Sequence, residues 1–210
     1  ENGNPYNRFY RALDFERLGL FELIKEKYGC ETVLYPGCSI HITPSFYFHH
    51  VVYVDISEQA KDFFSDEKNI SSIVNSNKKY RQKAYIKFLN CDYTKNLPLR
   101  EESFDLLISV YAGGVTQTCS KYVKRGGIIV SNNHQNDAMH ALKDMSLELE
   151  ALIRRKGRKY HAESAASEDL PKILKERKIP SDNMKKSSTG LIYTDNENFF
   201  LFRKKRIRDI

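Results

Sequence analysis

Short apolar runs alternate with amphipathic stretches along the first 130 residues. Residues 32–35, 51–54, 85–89, 104–110 and 128–130 are runs of aliphatic, β-branched and aromatic side chains. Runs of this length, bounded by turn residues, are those of strands buried on both faces in a parallel sheet. Helix-sized segments separate them. Phe15, Leu18, Phe21 and Ile24 recur at helical spacing, which predicts a helix capped by Asp14, reaching Tyr28 and stopped by Gly29. Thr43 followed by Pro44 predicts a helix start of one or two turns, with Thr43 as its cap. Ser57 predicts the cap of a helix that carries Phe63 and Phe64, and residues 113–123 suit a short helix before Gly126-Gly127.

The pattern changes after the fifth strand. Met139, Leu142, Met145, Leu149 and Leu152 keep helical spacing, which predicts one long helix over 137–156. Residues 157–168 are polar and read as loop, and a short helix opens at Glu168 or Asp169 and runs through Leu174. Two further apolar runs, 190–194 and 198–202, flank Asp195-Asn196-Glu197, the signal of an antiparallel hairpin. No internal repeat or low-complexity segment is present. The expectation is an α/β fold in one domain spanning 1–210, with an N-terminal segment and helix over 1–28, helices on both faces of the sheet and a closing hairpin.

Composition narrows function only a little. A chain of 210 residues, 40% hydrophobic, suits one folded domain. The net charge of +7 is compatible with plain solubility, an acidic substrate or nucleic acid. The cationic stretches singled out are Arg154-Arg155-Lys156 with Arg158-Lys159, and the tail Arg203-Lys204-Lys205-Arg206. Each reads first as a solvated surface and second as a nucleic-acid contact. Cys30, Cys38, Cys91 and Cys119 form no CxxC pair, so reduced thiols and a cytoplasmic setting are expected. No apolar stretch approaches the roughly 20 residues needed to cross a bilayer. The N-terminal residues 1–5 hold no apolar signal region, and their lack of Met is that of a trimmed or partial product.

In parallel sheets ligands bind at the carboxyl ends of the strands. Those ends hold Pro36, Gly37, Cys38 and Ser39 after the first strand and Asp55 after the second. Asn90, Cys91 and Asp92 follow the third, and Ser109, Tyr111, Ala112, Gly113 and Gly114 the fourth. Ser131, Asn132, Asn133 and His134 follow the fifth. Gly37 permits close approach of backbone to ligand, and Asp55 lies 18 positions on, near the spacing of an acid that binds ribose hydroxyls. Each has a plainer role: Gly37 as a turn, Asp55 as a helix cap, Asp92 as a turn residue.

On these residues the chain resembles the class I S-adenosylmethionine (SAM)-dependent methyltransferases over residues 14–205. The stretches that carry the resemblance are Tyr35-Pro36-Gly37-Cys38-Ser39, Asp55, Asn90-Cys91-Asp92, Phe104-Asp105-Leu106-Leu107-Ile108 and Lys124-Arg125-Gly126-Gly127. The resemblance implies a Rossmann-like doubly wound sheet of about seven strands, mostly parallel with an antiparallel C-terminal hairpin. It implies SAM as cofactor, held by Tyr35, Pro36, Gly37, Cys38, Ser39, Asp55, Ile56, Cys91, Asp92, Tyr93, Ser109 and Tyr111, and a methyl acceptor that the sequence does not name. One glycine stands where the family carries several, and Tyr35-Pro36 replaces its acidic residue. No amine-methylating Asn-Pro-Pro-Tyr motif follows the fourth strand.

Tyr111, Asn132 and His134 are the candidates for a catalytic base. Cys38, with His41 three residues on, reads as an inert buried thiol rather than a nucleophile. Cys38, His41 and His134 match no metal-ligand spacing, so no metal is expected. Tyr6, Arg8, Tyr10 and Arg11 read either as a surface segment or as a lid over the strand ends. Alternative functions are a catalytically inactive binding module of this fold, for nucleic acid or a protein partner, and a nicotinamide-dependent reductase.

Overall fold

The computed structural model describes residues 3–165, 185–186, 192–193 and 197–206. Strands β1 (Thr32–Pro36), β2 (His50–Asp55), β3 (Tyr85–Asn90), β4 (Phe104–Ser109) and β5 (Val123–Ser131) are followed by β6 (Leu147–Lys156) and β7 (Lys159–Ser164). The two-residue strands β8 (Lys185–Lys186) and β9 (Ile192–Tyr193) pair in a small sheet of their own, and β10 (Asn198–Lys204) ends the described chain. The main sheet has eight strands in the order β3-β2-β1-β4-β5-β10-β6-β7. Its first five are parallel, and β10 runs antiparallel between β5 and β6. This is the Rossmann-like, mostly parallel sheet with antiparallel C-terminal strands that the sequence predicts.

Alternation along each strand builds a core on both faces. Val33 and Tyr35 of β1 face one cluster with Phe21, Phe46 and Phe48, whereas Leu34 faces a second with Val52, Leu107 and Tyr122. All of these are buried, and each large apolar side chain so placed contributes about 1.5–3 kcal/mol. Helices α1 (Leu18–Tyr28), α2 (Glu58–Ser65), α3 (Glu67–Asn77), α4 (Val115–Cys119) and α5 (Asp137–Ala141) cover the sheet. Gly29 closes α1 in the left-handed region at φ 63°, and the Ser57 hydroxyl accepts from the Ala60 amide at 3.3 Å to cap α2.

The predicted 137–156 helix is replaced by α5 and β6. Asp144 breaks it: its carboxylate accepts from the Ser146 amide and hydroxyl and folds the chain into a turn. Met145 is 83% exposed there, so the apolar set that suggested a helix is not one face. A β-bulge explains the false period. Leu201 opposes Ala151 and Phe202 opposes Leu149, leaving Glu150 extra. Leu147, Leu149 and Leu152 thus face the same core at spacings of two and then three, which imitates a helix. Within the polar stretch 157–168, residues 159–164 form β7 because they pair with β6.

The C-terminal hairpin partner is also corrected. β10 pairs with β5 and β6, not with residues 190–194, whose Ile192 and Tyr193 pair with β8. The predicted helix through Leu174 and the turn residues Asp195 and Asn196 lie outside the described residues. Asp14 does not cap α1. The helix starts four residues later behind Arg17 at φ 55°, and the Asp14 carboxylate instead pairs with Arg155 and Arg158. Thr43 is likewise no cap, because its hydroxyl meets the Tyr6 hydroxyl at 2.7 Å.

The N-terminal segment is not a plain surface segment. A π-helical turn at Asn7–Arg11 places Tyr6, Phe9 and Tyr10 in the core. Tyr10 stacks on the His41 ring at 4.6 Å, and the Tyr6 hydroxyl donates to Glu16 at 2.7 Å.

Candidate functional site

The chain runs β1 to β2 to β3 toward one edge, then crosses back so that β4 lies on the other side of β1. The switch point of the sheet is therefore between the carboxyl ends of β1 and β4, where ligands bind in this architecture. Gly37 stands there at φ +63°, its amide donating to Val54 O at 2.7 Å. A Cβ on Gly37 would lie 2.6 Å from the Ala112 Cβ. The glycine lets the β1 and β4 loops touch, and that packing alone accounts for it.

Asp55 ends β2. Its Oδ2 accepts from the Ser39 amide at 2.7 Å and its Oδ1 from the Ser57 amide at 2.8 Å. The carboxylate thus ties the loop after β1 to the start of α2. An ionised carboxylate offers about four acceptor positions, so about two are left. Asp55 is half-buried, and its neighbour Ile56 is 69% exposed. An exposed isoleucine beside a half-buried carboxylate offers a flat apolar face next to hydrogen-bond acceptors.

Asn90, at the end of β3, donates from its side chain to Asp55 O at 3.0 Å. Asp92 accepts from the Thr94 amide and hydroxyl, and these bonds hold its carboxyl below the usual range. The Tyr93 hydroxyl donates to Gly113 O at 2.9 Å, joining the β3 and β4 loops. Cys91 is half-buried beside them, with burial raising its thiol. Tyr35 and Pro36 are buried, and the Tyr35 hydroxyl meets His41 Nδ1 at 2.9 Å. Cys38 is buried, and burial followed by the nearby Asp55 charge pushes its thiol well up, which fits an inert group. Of four concavities lined wholly by described residues, none includes Gly37, Asp55 or Tyr111.

The β4 and β5 side of the switch point is a dense polar lattice. Asp137 is fully buried and accepts from the hydroxyls of Ser109, Ser131 and Thr116 and from the Thr116 amide. It fastens the ends of β4 and β5 to α4, and it commits the Ser109 hydroxyl. Tyr111, at φ 55°, donates its hydroxyl to Glu197 at 2.7 Å. Glu197 also takes a two-pronged pair from Arg17, at 2.9 and 2.7 Å. Burial alone would raise the Glu197 carboxyl, but the Arg17 guanidinium and the Tyr111 hydroxyl outweigh it and hold it low.

The three catalytic candidates sit together but differ. Asn132 Oδ1 accepts from the Tyr111 and His134 amides, so Asn132 shapes the loop. Tyr111 is engaged with Glu197. The His134 ring packs edge-on against Tyr111 at 5.8 Å, and burial lowers its pKa, leaving a neutral imidazole at pH 7. Arg17 drew no attention in the sequence, Glu197 only as a turn residue and Asp137 only as a helix start, because nothing local marks the Arg17–Glu197 pair, 180 positions apart, or the hydroxyls that converge on Asp137.

No family model matches the chain, and no curated protein matches it in sequence. Solved structures match its fold. A cofactor-bound protein from MTB is 12% identical with a TM-score of 0.55, covering 91% of this chain and 80% of its own. The cyclase SpnF is 13% identical with a TM-score of 0.54, covering 92% and 81%. A protein from Klebsiella pneumoniae described as an O-methyltransferase is 8% identical with a TM-score of 0.52, covering 90% and 80%. At these identities the likeness is one of fold, shared by proteins described as a cyclase and as an O-methyltransferase.

Proposed function

We propose that this chain binds SAM at the carboxyl ends of β1, β2 and β3 and acts as a methyltransferase on an acceptor approaching from the ends of β4 and β5. The observation that carries the reading is the half-buried Asp55 carboxylate, with acceptor positions to spare beside the 69% exposed Ile56, next to the switch point. The residues present fit a nucleoside. Asp55 would take two ribose hydroxyls and Ile56 one face of the base, with Cys91, Asp92 and Tyr93 bordering the base. Backbone of Gly37 to Ser39 and of Tyr111 to Gly113 would border the amino-acid end. SAM, when bound, supplies an electrophilic methyl group.

The chain's own contribution is positioning. Asp137 fixes the β4 and β5 ends, Tyr111 and Asn132 shape the acceptor loop, and neutral His134 can accept a proton from the acceptor. Calorimetric titration with SAM and with S-adenosylhomocysteine tests the reading. Heat with wild type and none with Asp55→Ala is expected, and no heat with either ligand on wild type would sink it.

A second reading keeps the fold without methyl transfer. Gly37, Asp55 and Asp92 each serve the loops themselves, and a cyclase shares the fold, so fold alone does not dictate the reaction. Ligand heat without methylation of any acceptor would favour it.

A further inference from the structure

Between Glu67 and Asp92 the chain carries six cations and no acid: Lys68, Lys78, Lys79, Arg81, Lys83 and Lys87. They account for six of the chain's seven units of net positive charge. Among the described residues none of the six lies within 4.0 Å of a carboxylate. The arginines of the other cationic stretches are spent internally. Arg154 pairs with Glu163 at 3.0 Å, Arg155 and Arg158 share Asp14, and Arg203 is held by Glu150. Lys204 is anchored on the Ser120 and Val123 carbonyls.

Lys78 donates to the Gln82 carbonyl at 2.9 Å, and the charge without a carboxylate partner has a definite place. Apart from Lys68 in the first turn of α3, it lies on the loop after α3 and along β3, which pairs with β2 alone and forms one edge of the sheet. Lys79, Arg81, Lys83, Tyr85 and Lys87 are exposed at every second position. Tyr85, 49% exposed, has its ring 4.3 Å from that of His50. On the face of β3 opposite Tyr85 and Lys87, between α2, α3 and β3, runs an open groove of about 560 Å³. Its walls include Phe64, Ile70, Ile86 and Phe88, with Lys61 and Lys83 among its lining cations and Glu67 its acid.

We propose that the β3 edge and the groove beside it bind single-stranded nucleic acid. The cations of the loop before β3 take phosphates, and the apolar groove, whose rim holds Lys83, takes bases. Lysines on an edge strand also repel an added strand, which argues against a peptide pairing with β3. That protective role accounts for Lys87 but not for Lys78, Lys79, Arg81 and Lys83, which precede the strand. The groove reaches Asn90, whose side chain donates to Asp55 O at 3.0 Å, so it adjoins the Asp55 site, but it uses none of the Asp55 carboxylate's acceptor positions and does not require SAM to bind.

The test is fluorescence anisotropy of a labelled oligouridine of about 20 nucleotides, without SAM. Four phosphate contacts predict about a 50-fold loss of affinity between 50 and 200 mM salt. The triple variant Lys79→Glu/Arg81→Glu/Lys83→Glu should bind at least about 10-fold more weakly with a flatter salt slope. A charge-matched control, Lys143→Glu/Lys156→Glu/Lys159→Glu, should bind within about threefold of wild type. Unchanged thermal melting of both variants secures the comparison. Equal weakening by the two variants, no binding by wild type, or equal competition by poly-glutamate would each overturn the proposal.

Discussion

Glu197 and Asp55 stand at the same end of the sheet and do opposite things with a carboxylate. Glu197 is buried in the antiparallel half, and Arg17, Arg155 and Tyr111 converge on it. Asp55 is half-buried in the parallel half and takes two backbone amides, with acceptor capacity left. The first carboxylate is architecture: it clamps the residue before α1 and the β4 loop to the residue before β10. The second is a loop staple that can still receive a ligand. Spare capacity and access, rather than burial or the number of bonds, separate a binding group from a structural one.

The contrast breaks first at Glu197. Glu197→Ala should cost about 3–5 kcal/mol in urea unfolding, because it strands the buried Arg17 charge. A change under about 1 kcal/mol would mean that the clamp carries nothing. The paired replacement Arg17→Met/Glu197→Leu should recover most of the loss.

His41 provides a pH-dependent check. Burial, and then the Arg17 charge, push its pKa down from 6.5 to about 3. The unfolded chain therefore binds a proton that the folded chain refuses. Stability should fall as pH drops from about 6.5 toward about 3, by up to about 1.4 kcal/mol per pH unit from this group. Urea midpoints at pH 7, 6 and 5 check it. The decline should be shallower in His41→Gln, and equal slopes would refute the assignment.

Asp55→Ala should cost only about 1–2 kcal/mol, the worth of two backbone amides left to water and neighbours, while abolishing SAM heat. Loss of folding instead would make Asp55 another Glu197. Asp92→Ala should have the smallest effect on stability, under about 1 kcal/mol, since its bonds stay within one exposed turn.

The parallel half was legible because each strand is a short, mostly apolar run with a turn residue at its end, as in Thr32–Pro36 and His50–Asp55. The site locators Gly37, Asp55 and Asp92 follow from those ends. The antiparallel half was not legible. The Glu150 bulge breaks the alternation of β6 into a false helical period, and β7 exists only by pairing with β6. Tyr111 was singled out from its place after β4, but its engagement with Glu197 spans 86 positions and leaves no local trace. The charge run before and along β3 was plain in the residues, yet only the structure shows that the arginines of the other basic stretches are held by Glu163, Asp14 and Glu150.

The central claim is that the nucleoside half of SAM sits at Asp55. A crystal structure with S-adenosylhomocysteine tests it most directly. The account predicts ribose hydroxyls within hydrogen-bonding distance of the Asp55 carboxylate and the base against Ile56. Clear ligand density elsewhere, such as in the groove between α3 and β3, with Asp55 untouched, would contradict it.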